Sequence, residues 1–90
     1  MTLSLEDRRR RLLFRADHRG TKEADMLIGG FVRAYVGGWG EAEIAWGEAL
    51  LHEQDADVMA WAIGTAPCPA GYEGALMGAM QRLDYIAVAR

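Results

Sequence analysis

The sequence predicts an all-α fold, a compact five-helix bundle, on three observations. Apolar residues recur at three- and four-residue steps along most of the chain, the spacing that gathers them on one face of a helix. The 51% of the chain that is hydrophobic leans on Ala, Leu and Met, with few β-branched residues to build strands. Glycine and proline clusters then cut the chain into short segments with short connectors, as a bundle requires. Ninety residues suffice for one domain with a modest core. That domain is expected to take in residues 1–90, with its core over about 4–83 and a tail from 84 to 90.

A first helix is expected from about Ser4 to Arg15, with Ser4 as N-cap and Asp7 three residues beyond it. Leu5, Leu12, Leu13 and Phe14 supply its apolar side. The second helix is expected to start near Thr21 and to bury Ala24, Leu27, Ile28, Phe31, Ala34 and Tyr35. Gly29 and Gly30 inside it cost about 1 kcal/mol each relative to Ala. They read as a place where another helix comes close. A phosphate loop is the opposing reading, but no strand precedes the pair and no GxGxxG frames it.

The run Gly37-Gly38-Trp39-Gly40 ends the second helix. A third then spans about Glu41 to His52, with Glu41 and Glu43 at its positive end and Trp46, Leu50 and Leu51 as its buried stripe. Asp55 is expected to cap a fourth helix that buries Val58, Met59, Ala62 and Ile63 and stops at Gly64. After a kinked connector, TAPCPAG, a fifth helix is expected over about Ala70 to Leu83. Its inner face would carry Tyr72, Ala75, Leu76, Ala79 and Met80, leaving the tail YIAVAR to dock or fray.

Composition also excludes functions. Cys68 is the only cysteine, which points to a reducing compartment, and His18 and His52 are far apart in sequence, which argues against zinc. No stretch approaches the roughly 20 apolar residues of a membrane span. The apolar run after Arg8–Arg11 is broken at once by Arg15 and Asp17, so it is not a signal core, and the chain reads as cytoplasmic and unprocessed. Net charge is −3, with eight Lys/Arg against five Asp/Glu in residues 1–33 and two against eight in residues 34–90. A polarised surface is expected from that asymmetry. A pI near 5.3 lacks the basic footprint of a nucleic-acid binder.

The stretch Arg19-Gly20-Thr21-Lys22-Glu23 lies where polar sequence turns into apolar helix. With Gly20 as N-cap, Glu23 falls at N3, where its carboxylate can accept from free backbone N–H groups. A cap explains the glycine and the glutamate. It does not explain Arg19 beside His18 and Lys22, with Arg11 and Arg15 upstream. Asp57 and Trp61, one helical turn apart on one face, carry two readings: a cap and a core aromatic, or an exposed anchor of the kind favoured in interface hot spots.

The string RRRRLLFRADHRGTKEADMLIGGF, followed by QDADVMAWAIG and a proline, resembles the SdhE family of flavoprotein assembly factors. The family's Arg-Gly-x-x-Glu hallmark is matched by Arg19, Gly20 and Glu23. Its following acidic residue is matched by Asp25, the aromatic of the next helix by Phe31, and its Asp-x-Asp-x-x-x-Trp element by Asp55, Asp57 and Trp61. The likeness takes in roughly Arg8 to Met80. It departs at His18, often Arg in the family, at Thr21, usually Met or Leu, and at the glycines around Trp39, which replace an aspartate-rich turn.

The resemblance implies a bacterial factor that is not itself an enzyme. Such factors promote covalent attachment of FAD to the flavoprotein subunit of succinate dehydrogenase or fumarate reductase, whose own histidine attacks the flavin's 8α-methyl carbon. The implied partner surface comprises Arg19, Gly20, Glu23, Arg11, Arg15, His18, Asp25, Asp57 and Trp61. The cofactor would stay with the client, and the factor would bind neither FAD tightly nor metal, nucleic acid or membrane, and would be a monomer when free. A small antitoxin-like regulator of another target is the alternative.

Overall fold

Helix ends in this chain fall where a side-chain acceptor or a glycine satisfies the free backbone groups. The computed structural model describes residues 2–86. Helix α1 spans Leu5–Asp17, and the Ser4 hydroxyl accepts from the Asp7 N–H, as the sequence suggests. Leu12 and Ala16 are its buried residues. Phe14, expected on the inner side, is 64% exposed and stacks on His18 instead.

Helix α2 runs over residues 22–35 in three stretches: Lys22–Ala24, a π-helical turn Asp25–Gly29, and Gly30–Tyr35. Its N-cap is Thr21, whose hydroxyl accepts from the Ala24 N–H, and not Gly20. Glycine has no side-chain acceptor, so the hydroxyl one residue later takes the position. Glu23 therefore moves from N3 to N2. The close approach expected at the glycine pair is present at Gly29, where a Cβ would lie 2.6 Å from Asp17 Oδ1 and 2.9 Å from the Ala16 carbonyl. The extra residue of the π turn also advances the inward face. Val32 and Val36 are buried, whereas Ala34 is exposed and Tyr35 half-buried.

The glycine run closes α2 with a short 3-10 turn, Val36–Gly38, and turns Trp39 inward. Helix α3 follows at Glu41–Leu50, ending two residues short of His52. Ile44, Gly47 and Leu50 are buried on it, while Trp46 and Leu51 are half-buried. Helix α4 spans Asp55–Ile63, and its N-cap is Gln54, so Asp55 is the first helical residue and not the cap. Gly64 stops it in the left-handed region at φ +92°. Trp61 faces the core at 8% exposure and Ile63 faces solvent at 55%, reversing the expectation for Ile63.

Helix α5 is shorter than expected, Ala75–Gln81. Gly74 at φ +143° cannot continue a helix, so the preceding Ala70–Tyr72 forms a separate 3-10 turn. The turn folds Tyr72 back onto Trp61, with ring centroids 5.5 Å apart. Ala75 lies outside the core, and Met77, Ala79 and Met80 fill the inner face. The start of the tail docks: Tyr85 packs its ring 5.4 Å from that of Phe31 and donates to the Met80 carbonyl at 2.9 Å. The remainder of the tail, residues 87–90, lies outside the described residues.

The five helices close around Phe31, Leu12, Ile28, Ile44, Leu50, Val58 and Met80, and no strand occurs among the described residues. The basic first third is largely spent inside the molecule. Arg8 bridges α1 to α3 through Glu41 and Glu48, both at 2.8 Å. Arg9 donates to the Val36 and Trp39 carbonyls of the glycine run, and Arg33 pairs with Asp17. Internal pairing thus removes much of the polarity that linear charge suggests.

Candidate partner-binding site

The corner between α1 and α2 is built from short polar contacts. Arg19 donates its backbone N–H to Asp25 Oδ1 at 2.6 Å, which ties the loop to the π turn. Its side chain crosses to the α3–α4 turn, where Nε meets Asp55 Oδ1 at 2.9 Å and Nη2 meets the Leu51 carbonyl at 2.9 Å. Two motifs that lie 36 residues apart in sequence are thereby joined by one ion pair. The Arg19 side chain is only 16% exposed. Sequence reasoning found no intrachain partner for it, and the signal was Asp55, which was assigned to capping.

Gly20 adopts φ +113°, a conformation that L side chains rarely take, and a Cβ there would meet nothing within 4 Å. Its backbone therefore has a local task, while the space above it is open. Glu23 is exposed and makes no side-chain hydrogen bond or ion pair among the described residues. The loop is anchored at Arg19, Thr21 and Asp25 and presents Glu23 outward from a fixed base.

Along α1 the same corner carries cations. Arg11 and Arg15 are exposed and form no ion pair among the described residues. Their charges help hold the Glu48 carboxyl below its ordinary range, chiefly through its hydrogen bond from Arg8, against the opposing effect of partial burial. His18 Nδ1 donates to the Phe14 carbonyl at 2.7 Å and its ring stacks on Phe14 at 4.1 Å. Phe14, Arg15, His18, Arg19, Leu51 and His52 line one open groove of about 350 Å³. Phe14, Leu51 and His52 were missed from sequence, since only folding brings the α3–α4 turn beside α1.

Asp57 and Trp61 do not join this surface as a pair. Asp57 is exposed, one turn into α4. Trp61 is a core aromatic, stacked on Tyr72, which decides between the two readings left open for it.

A family model described as flavinator of succinate dehydrogenase matches residues 10–84, a span that includes the whole corner and the α4 element joined to it. The chain belongs to this family. Among similar proteins is the FAD assembly factor SdhE of Acetobacter pasteurianus, 46% identical over 66 residues, which are 73% of this chain and 61% of that protein. The mitochondrial succinate dehydrogenase assembly factor 2 of Saccharomyces cerevisiae is 35% identical over 72% of this chain and 42% of its own length. Assembly factor 2-A of Drosophila mojavensis is 35% identical over 81% of this chain and 48% of its own. The chain thus spans less than two thirds of the length of these relatives. Within the flavinator family, the Arg19–Asp55 pair gives a physical reason for the hallmark arginine: it fixes the loop that displays the glutamate.

Proposed function

We propose that this protein is an assembly factor that promotes covalent attachment of FAD to the flavoprotein subunit of succinate dehydrogenase or fumarate reductase, acting by binding and not by chemistry of its own. One observation carries the reading: a loop locked at Arg19, Thr21 and Asp25 that presents a carboxylate, Glu23, with no local task. Family membership supplies the class of client. In this reading Glu23 meets a donor on the client, and Arg11, Arg15 and His18 extend the contact along α1. Gly20 lets the client's backbone come close. Arg19 and Asp25 are positioning residues.

The described residues hold no cluster of three or more His, Cys, Asp or Glu side chains suited to a metal. Candidate grooves at this corner are open, unlike the enclosing pockets that bury most of a dinucleotide. The cofactor accordingly stays with the client. Holding client groups in a reactive alignment can lower a barrier by as much as about 7–11 kcal/mol in ideal intramolecular cases.

The test is in-gel flavin fluorescence of the dehydrogenase subunit in cells lacking this gene. Fluorescence should fall and return with the native chain. Glu23→Arg should restore little, although the purified variant melts like the native protein. Undiminished fluorescence in the deletion strain would overturn the reading and leave a regulator of another target as the alternative. Purified protein passed through gel filtration after mixing with FAD should emerge colourless.

A further inference from the structure

On another face, between α3 and the 3-10 turn before α5, lies a groove of about 350 Å³. Trp46 and Tyr72 form its aromatic corner, their rings 6.3 Å apart and nearly perpendicular at 80°. Both rings are held. Trp46 Nε1 donates to the Tyr72 carbonyl at 3.3 Å, and the Tyr72 hydroxyl donates to Glu53 Oε2 at 2.7 Å. Ala42 and Leu76 complete apolar walls, and Glu43 and Glu73 stand at the rim.

Charge decides what such a groove accepts. No Lys or Arg lines it. Elsewhere the acidic residues are neutralised from within: Glu41 and Glu48 by Arg8, Asp55 by Arg19, Asp17 by Arg33. Glu43 and Glu73 enter no ion pair among the described residues. Glu43 Oε1 accepts from the Gly40 N–H at 2.6 Å, which fixes that carboxylate and leaves its second oxygen available. Aromatic faces attract cations through their quadrupole, most strongly for Trp. Two separated carboxylates beside perpendicular rings favour a planar guanidinium, which stacks and forks to more than one acceptor, over a compact ammonium.

We infer that this groove is a second docking point, which receives an arginine side chain of a partner protein between Trp46, Tyr72, Glu43 and Glu73. It is independent of the flavinylation reading and uses none of the residues placed at the α1–α2 corner.

The experiment is a ¹H–¹⁵N titration of the full chain with N-acetyl-arginine amide, with N-acetyl-citrulline amide as the uncharged control. The Trp46 indole resonance, assigned from Trp46→Phe, and the amides of Glu73 and Gly74 should shift saturably with the arginine probe alone. Glu73→Gln should weaken that binding by about 2–5-fold, the range of an exposed ion pair. This variant removes an exposed carboxylate without a side-chain hydrogen bond and leaves the fold intact. Equal shifts with citrulline, or unchanged arginine binding in Glu73→Gln, would overturn the inference. So would concentration-dependent shifts of the same resonances without probe, since a second copy would then be the occupant.

Discussion

Arg19 and Glu23 stand four positions apart, yet folding gives them opposite surroundings. Arg19 is mostly buried and bonded to Asp55 and the Leu51 carbonyl, whereas Glu23 lies in solvent without a partner. Hydrogen bonds to charged groups contribute about 1.5–3 kcal/mol, and their loss strands the acceptor. Arg19→Ala should therefore lower stability by about 1–3 kcal/mol, and Glu23→Ala should change it by less than about 0.5 kcal/mol. Sequence alone suggests the reverse order, because it assigns Glu23 to a cap and leaves Arg19 unpaired. Urea unfolding of the two variants settles the order. Gly20 follows the same logic: at φ +113° any L side chain is strained, so both Gly20→Ala and Gly20→Arg should cost about 1–3 kcal/mol. Client affinity lost by Gly20→Arg beyond that lost by Gly20→Ala then measures the interface.

Between elements, three glycines separate packing from mere tolerance. Gly29 of α2 faces Asp17 Oδ1 and the Ala16 carbonyl, and Gly47 of α3 faces Leu12 Cδ2 at 2.9 Å and Trp39 Cζ3 at 3.1 Å. Alanine at either site must push α1 away or distort a side chain, at a cost of about 1–3 kcal/mol. The larger effect is expected at Gly29, since one of its neighbours is backbone. Gly78 lies within α5 with nothing within 4 Å of a would-be Cβ. Gly78→Ala should gain up to about 1 kcal/mol from helix propensity. Thermal midpoints of the three variants should rank Gly78→Ala above native and Gly29→Ala lowest.

For the molecule as a whole, pH probes the contacts that hold the helices together. The Arg8 guanidinium keeps the Glu48 carboxyl below its ordinary value of 4.5. A carboxyl depressed in the folded state stabilises the fold above its unfolded value, and that contribution fades as pH falls through the folded one. Arg8→Gln should therefore unfold more readily than the native chain at pH 7, and the gap should narrow at about pH 3. At the alkaline end, burial, aided by the hydrogen bond to Glu53, pushes Tyr72 up to about 12. Its contribution is complete below the ordinary tyrosine value of 10 and lost as pH rises through about 12. Native protein should thus lose stability above pH 10, and Tyr72→Phe should flatten that limb.

Local chemistry was sufficient to read the helical class, the Ser4 cap, the stop at Gly64 and the close approach at Gly29, because each depends on spacing within a few residues. It was also sufficient to single out Arg19, Gly20, Glu23 and Asp25 as a unit. What it could not reach depends on contacts across the chain. A π turn has no signature in apolar spacing, so the slip from Ala34 to Val32 was invisible. The direction of Trp61 was set by Tyr72, folded back by Gly74 from a separate turn. The partner of Arg19 was set by the α3–α4 turn coming to rest beside the motif. Sequence determined which residues form the loop; tertiary structure alone decided that the arginine holds it and the glutamate faces out, since an ion pair forms only where packing brings both charges together.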